Sequence, residues 1–416
     1  MHRVRPRPAR WPWFLLGFVG ILAVGAGAFQ VPAVQHRLDW RLDIALARVR
    51  AVLYPGDVLP TPASGEVARP SLSPGTPAPA QPALLDEPLA TAMPTAESVK
   101  LVEPGPSASL PSPAWENQDW NNCGPATLAM TLRMFGWQGD QYTIAEALKP
   151  NRRDKNMRWD EMVYYVQSHA GWLQATFRVG GDIRLLKRIL ANGLPVIVEK
   201  GTDIPEYGWA GHYLLLTGYD DDAQTFITQD SFVAADQSVA YSKLDAYWQS
   251  FNRLYILVYP PEDQAKVQAL LGPDADESSN RLRALATAQD ETQADPRNAY
   301  AWWNLGSNLN YFDRFAEAAA AFDQARTLGL PWRMIWYQFG PYRAYYNVGR
   351  YQEVIDLADA ALRRTPQLEE SLIWRGWARF SLGDRLGAVA DFREALAQNP
   401  RSTEAHAALE SIGATP

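Results

Sequence analysis

At 416 residues the chain is long enough for two or three domains, and 47% hydrophobic with 20% charged residues is the balance of globular protein. A net charge of −7 with a pI near 5.4 gives no ground for a nucleic-acid partner. The single cysteine excludes an internal disulfide framework and a cysteine-based metal centre, and no cofactor is expected.

Residues 1–10 carry four arginines and no acid, and Trp11 to Phe29 follows without a charge. Nineteen such residues can span a bilayer as a helix, with Trp11 and Trp13 at the interface and the basic tail in the cytoplasm. The expectation is a single-pass anchor with the rest of the chain exported. The small-x-small pattern Ala26-Gly27-Ala28 also fits a cleavage site, which would make the protein secreted; the retained anchor is the reading adopted. In residues 30–54, Leu38, Leu42, Ala45, Leu46, Val49 and Leu53 share one face of an amphipathic juxtamembrane helix. Residues 55–113 are rich in Pro and Ala, with almost no aromatics, and read as an extended linker.

A folded domain is expected over 114–261. In Gln118-Asp119-Trp120-Asn121-Asn122-Cys123-Gly124-Pro125-Ala126, Pro125 suits the first turn of a helix that runs to a stop at Gly136. Cys123 then sits at the helix N-terminus, where N–H groups and dipole favour a thiolate, the form of a cysteine that attacks carbonyls. Thr143-Ile144-Ala145-Glu146 reads as a capping box, Trp159 to His169 as a helix, and Trp172 to Val179 as a strand. Asp182 caps Ile183 to Ala191, Gly193 stops that helix, and Pro195 to Glu199 is a buried strand.

A nucleophile needs a base. His2 lies in the basic tail, His36 beside the anchor, His406 near the chain's end, and His169 in the surface turn that closes a helix. That leaves His212, at the start of an apolar strand ending at Asp220. A turn and the strand Thr225 to Asp230 follow, so a hairpin would bring Asp230 to His212, where a carboxylate fixes the tautomer of the ring. Asp220, Asp221 and Asp222 are nearer in sequence but read as a solvated turn. Tyr207 and Trp209, in the loop 201–209, are candidate substrate-groove residues. A helix capped by Ser242 and a strand from Leu254 to Tyr259 close an α+β layout.

Gln118 with Cys123-Gly124-Pro125-Ala126, Gly211-His212-Tyr213 leading to Gly218-Tyr219-Asp220, and a strand closing on Asp230-Ser231 together resemble the papain-like cysteine peptidases of family C-39, in its broad C39-like sense. The resemblance covers roughly residues 113–260. It implies a papain-like α+β fold with Cys123 as nucleophile, His212 as base and acid, and Asp230 as orienter. It also implies that the Gln118 amide joins the Cys123 N–H in the oxyanion hole. Original members of the family cleave double-glycine leaders and are fused to a transporter and an ATPase, whereas one span and no phosphate-binding loop are read in this sequence, so that specificity is not implied.

Residues 262–296 are polar and read as a helical connector, with a helix from Arg281 to Gln293. Over 297–414, Trp302, Gly306, Ala318, Phe322 and Ala325 match the tetratricopeptide pattern. Ala318, Val354 and Ala388 recur at spacings of 36 and 34 residues. Three such repeats with a capping helix from Ser402 to Ile412 are expected, an all-α superhelix that binds a protein or peptide. Trp336, Tyr337, Phe339, Tyr342, Tyr345 and Tyr346 crowd the middle unit, mostly as core. The whole reads as a multidomain, membrane-anchored cysteine peptidase acting on peptide or protein, with repeats that recruit a protein partner. An inert peptidase-like adaptor and a thiol acyltransferase are the alternatives from other classes.

Overall fold

The computed structural model describes residues 58–63, 99–150, 157–204 and 208–415, with isolated helical positions at Gly20, Gly27, Ala45, Leu46 and Val49. The expected anchor (11–29), the amphipathic helix (30–54) and Tyr207 otherwise lie outside the described residues. Among those described, no helix is long and apolar enough to cross a membrane. The chain divides into two units, Met1–Leu53 and Tyr54–Pro416, and the second holds the sheet and the helices that pack with it.

Seven strands, β1 (Ser107–Ser109), β2 (Gln174–Arg178), β3 (Val196–Ile204), β4 (Gly208–Asp220), β5 (Thr225–Asp230), β6 (Ala234–Ala240) and β7 (Tyr255–Tyr259), form one antiparallel sheet. Its order is β2-β7-β3-β4-β5-β6, with β1 on β4. Helices α1 (Cys123–Arg133), α2 (Gln141–Leu148), α3 (Trp159–His169), α4 (Ile183–Ala191) and α5 (Tyr241–Trp248) complete the α+β domain. The two-residue period of a strand decides which helices each face meets. Ile197, Tyr213, Leu215, Ile256 and Val258 pack with α1 and α3. Val196, Val198, Leu214, Leu216 and Leu257 pack with α4 and α5. A sheet covered on both faces reads as continuous apolar runs, as Val196-Ile197-Val198 does.

Several elements differ from the sequence reading, each for a local reason. β1 lies in what composition assigns to the linker, and it is held by its register with Gly218–Asp220. The cap of α2 is Asp140, whose carboxylate accepts from the Tyr142 and Thr143 N–H groups, not Thr143. The described residues of the expected loop, 201–204 and 208–209, are paired strand, with Ile204 opposite Gly208. Within it Trp209 is buried and stacked on Phe251, so it is core and not a groove residue. β6 has no counterpart in the sequence reading, and α5 starts at Tyr241 without a side-chain cap from Ser242.

The connector folds as α6 (Gln264–Leu271) and α7 (Glu277–Ala294). Three antiparallel helix pairs come next: α8 (Ala299–Tyr311) with α9 (Phe315–Leu328), then, after the single turn α10 (Met334–Tyr337), α11 (Gly340–Asn347) with α12 (Tyr351–Arg364), then α13 (Glu369–Ser381) with α14 (Arg385–Gln398). α15 (Thr403–Ser411) closes the array. Ala318, Val354 and Ala388 are fully buried where the pairs meet, and Tyr342 and Tyr345 are core. The array shares its core with Trp209 and Phe251 of the α+β domain.

Candidate active site

α1 puts Cys123 at its first position, with Asn122 before it and Pro125 inside the first turn. The helix lies close against β4. A Cβ on Gly124 would sit 3.1 Å from Met157 Cε and 3.4 Å from Tyr213 Cδ2, so glycine permits the approach. Thr127 Oγ1 donates to the Tyr213 carbonyl at 3.3 Å, tying α1 to the residue after His212. Asn121, at φ +55°, turns the chain into the helix.

The turn 116–122 is laced from behind by Gln141, which is buried at the start of α2. Its Oε1 accepts from the Asp119 N–H at 2.6 Å and from Asn122 Nδ2 at 3.2 Å. Its Nε2 donates to the Asn117 carbonyl and to Glu116. The buried Lys149 donates to the Asn121 carbonyl and, at 2.8 Å, to Asn122 Oδ1. Neither residue stands out in the sequence, because both act only through contacts the fold creates.

His212 sits within β4, and its Nε2 meets Asp230 Oδ1 at 2.9 Å. Asp230 also accepts from the Phe232 and Val233 N–H groups, and its carbonyl accepts from Trp115 Nε1. The turn carboxylates are engaged elsewhere: Asp220 accepts from the Ala223 N–H, and Asp221 pairs with Lys187 at 2.6 Å. Gln118 is tied to the same corner. Its N–H donates to the Ser231 carbonyl at 2.8 Å, and its Oε1 accepts from the Ser231 hydroxyl at 2.9 Å. That orientation leaves the Gln118 Nε2 without a hydrogen bond among the described residues.

Electrostatics bind sulfur and ring together. Burial raises the Cys123 pKa, but a hydrogen bond and the charge of His212, with backbone N–H groups of Tyr213 and Gly124, bring it below the ordinary thiol value. Burial lowers that of His212, but Asp230, through charge and hydrogen bond, and then Cys123 raise it to about 9. Burial raises that of Asp230, and the His212 charge and hydrogen bond hold it down to about 2. A thiol made more acidic by an imidazole, with a carboxylate holding the ring, is an arrangement that can attack a carbonyl and return a proton. A further carboxyl, Glu199, lies opposite Tyr213 on β3 and is buried. Burial first, and then the Cys123 charge, push its pKa well above the usual carboxylate value. The sequence carries a signal for it: a charge ending the apolar run Val196-Ile197-Val198. His169 is exposed at the end of α3 and stacks on the buried Tyr165.

The model of the Peptidase_C39 like family matches residues 110–256, which span most of the α+β domain. A C39-like peptidase structure from Bacillus anthracis is 16% identical, covering 36% of this chain and 96% of its own, with a TM-score of 0.30. The peptidase domain of Streptococcus ComA, a bi-functional ABC transporter in a quorum-sensing pathway, is 17% identical over 36% and 98%, with a TM-score of 0.30. A structure of MamA is 16% identical over 32% and 80%, with a TM-score of 0.29. Likeness at those scores says nothing of this chain's chemistry. A comparison with curated proteins gives no match.

Proposed function

We propose that the α+β domain is a cysteine peptidase. Cys123 is its nucleophile, His212 its base and acid, Asp230 the orienter, and Gln118 Nε2 with the Cys123 N–H its oxyanion donors. The observation that carries this reading is His212 Nε2 held 2.9 Å from Asp230 Oδ1, in a ring close enough to Cys123 that each shifts the other's titration, the thiol down and the imidazole up. The thiolate attacks the peptide carbonyl and the oxyanion forms between the two donors. His212 gives its proton to the leaving amine. Water, deprotonated by His212, then splits the thioester to acid and thiol. The helix pairs are a tetratricopeptide-like array that engages protein. Trp11–Phe29 anchors the protein in the membrane, with the catalytic and helical regions outside the cytoplasm.

The test is alkylation of Cys123 by a thiol-directed electrophile at pH 7. His212→Ala is expected to slow it at least about tenfold, because thiolate fraction sets the rate. Equal rates in variant and wild type would refute the pairing. A chain that alkylates as expected but hydrolyses no peptide library would refute peptidase activity alone.

A further inference from the structure

Residues 58–63 are docked on the helical array, far in sequence from what they touch. Val58 forms an antiparallel bridge with Pro331, and the Leu59 N–H donates to the Leu330 carbonyl at 2.8 Å. The Leu59 side chain is 2% exposed and belongs to the core of the array. Beyond it, Arg326 Nε donates to the Pro60 carbonyl at 2.8 Å, and the Ala63 N–H donates to Glu353 Oε2 at 3.3 Å. Arg326 and Glu353 are themselves a buried ion pair, 1% and 7% exposed, with N to O at 2.6 Å. The Tyr345 hydroxyl accepts a third Arg326 bond at 3.0 Å.

This is a built site. A buried guanidinium and a buried carboxylate each commit one hydrogen bond to the backbone of an extended segment, and an apolar cavity takes one leucine. Main-chain bonds give such a site affinity and the side-chain cavity gives it selectivity. The ligand chemistry is set by the groups that are read. The leucine and its N–H, the next carbonyl, and an N–H four residues after the leucine are used. Pro60 and Pro62 supply no donor and hold the segment extended at low entropic cost. The pattern Leu-Pro-x-Pro recurs at Leu110 to Pro113. There too the leucine N–H donates to a backbone carbonyl, that of Thr217 at 2.7 Å, and the leucine packs against the core.

We propose that the helical array carries a peptide-binding site built on Leu330, Arg326 and Glu353, that it takes extended Leu-Pro-x-Pro segments, and that residues 58–63 are its ligand in cis. The segment that composition assigns to a free linker is thereby a strap. A protein partner reaching this site competes with the chain's own residues. The proposal is independent of the peptidase chemistry, and its test reads no activity.

Amide exchange in the full-length protein is compared with that of a free synthetic peptide of residues 55–66. The Leu59 amide is expected to exchange at least about 100-fold more slowly in the protein, as for a buried, bonded N–H. Exchange at the free-peptide rate overturns the strap. A fluorescent form of the same peptide is then titrated onto wild type and onto full-length Leu59→Asp. The tethered segment competes at an effective concentration of about millimolar, so the variant binds and wild type does not. Equal binding by both, or none by a cooperatively melting Leu59→Asp chain, overturns the site. Should Leu59→Asp fail to fold, Ala63→Pro removes one strap bond at an exposed position. It is expected to speed Leu59 exchange about tenfold, and unchanged exchange counts against the assignment.

Discussion

At the scale of residues, the coupling of His212 to Asp230 makes pH a stability variable. The ring and carboxylate are 7% and 13% exposed, so solvent screens them little. Asp230 is depressed to about 2, so its stabilisation is present above the unfolded value near 3.9 and is lost as pH falls through about 2. His212 is raised to about 9, so its stabilisation is complete below about 6.5 and is lost as pH climbs through about 9. Both are present together between about pH 4 and pH 6.5. Asp230→Asn is therefore expected to melt below wild type by the widest margin in that window, on the order of 2 kcal/mol, and the gap should close on either side. Melting curves of both proteins from pH 3 to pH 10 give the answer. A gap constant with pH would mean that Asp230 contributes through packing and backbone bonds alone.

At the scale of elements, the placement of Cys123 depends on how closely α1 lies against β4. Gly124→Ala places a methyl against Met157 and Tyr213, which should destabilise the fold by about 1–2 kcal/mol. It should also slow Cys123 alkylation several-fold, because the helix start must move from the His212 strand. Gly136→Ala is the control. Its φ of +84° is strained for alanine, at a similar cost in stability. It lies past the far end of α1, where thiol reactivity should not change. If both variants alkylate at the wild-type rate, the close approach serves packing only. Local chemistry explains which elements could be read from sequence. α3 and α4 match to the residue because Glu161 and Asp182 bond the first turns directly. His212 and Asp230 are near because a hairpin joins their strands. β1 and β6 are illegible locally: Ser-Ala-Ser and Ala-Ala-Asp-Gln-Ser-Val-Ala have no apolar period, and they are strands only because β4 and β5 offer unpaired edges. Gln141, Lys149 and the strap at 58–63 depend on pairings no local pattern encodes.

At the scale of the whole molecule, hydrogen bonds join the helical array to the α+β domain at its start and again near its end. Near its start, Asn308, Asn304 and Gln338 bond Asn252 and the Gln249 and Ser250 carbonyls, and Arg333 reaches the Trp209 carbonyl. Near its end, Arg401, between α14 and α15, donates to the Ala147 and Lys149 carbonyls at 3.1 and 2.8 Å. Lys149 in turn holds Asn121 and Asn122, the two residues that precede Cys123. The loop that follows the last helix pair is thus two hydrogen bonds away from the residue before Cys123. Arg401 removes no core atom when replaced, so Arg401→Ala should leave melting within a few degrees of wild type. It should slow Cys123 alkylation roughly two- to fivefold, the range expected of a coupling below about 1 kcal/mol. Lys149→Met, which cuts the chain of contacts at its middle, should slow it further, and the double variant should add little to Lys149→Met alone. Additive effects in that cycle would mean that Arg401 and Lys149 act on the thiol separately. A binder that lifts α14 and α15 from the α+β domain would then not alter the reactivity of Cys123 through Lys149.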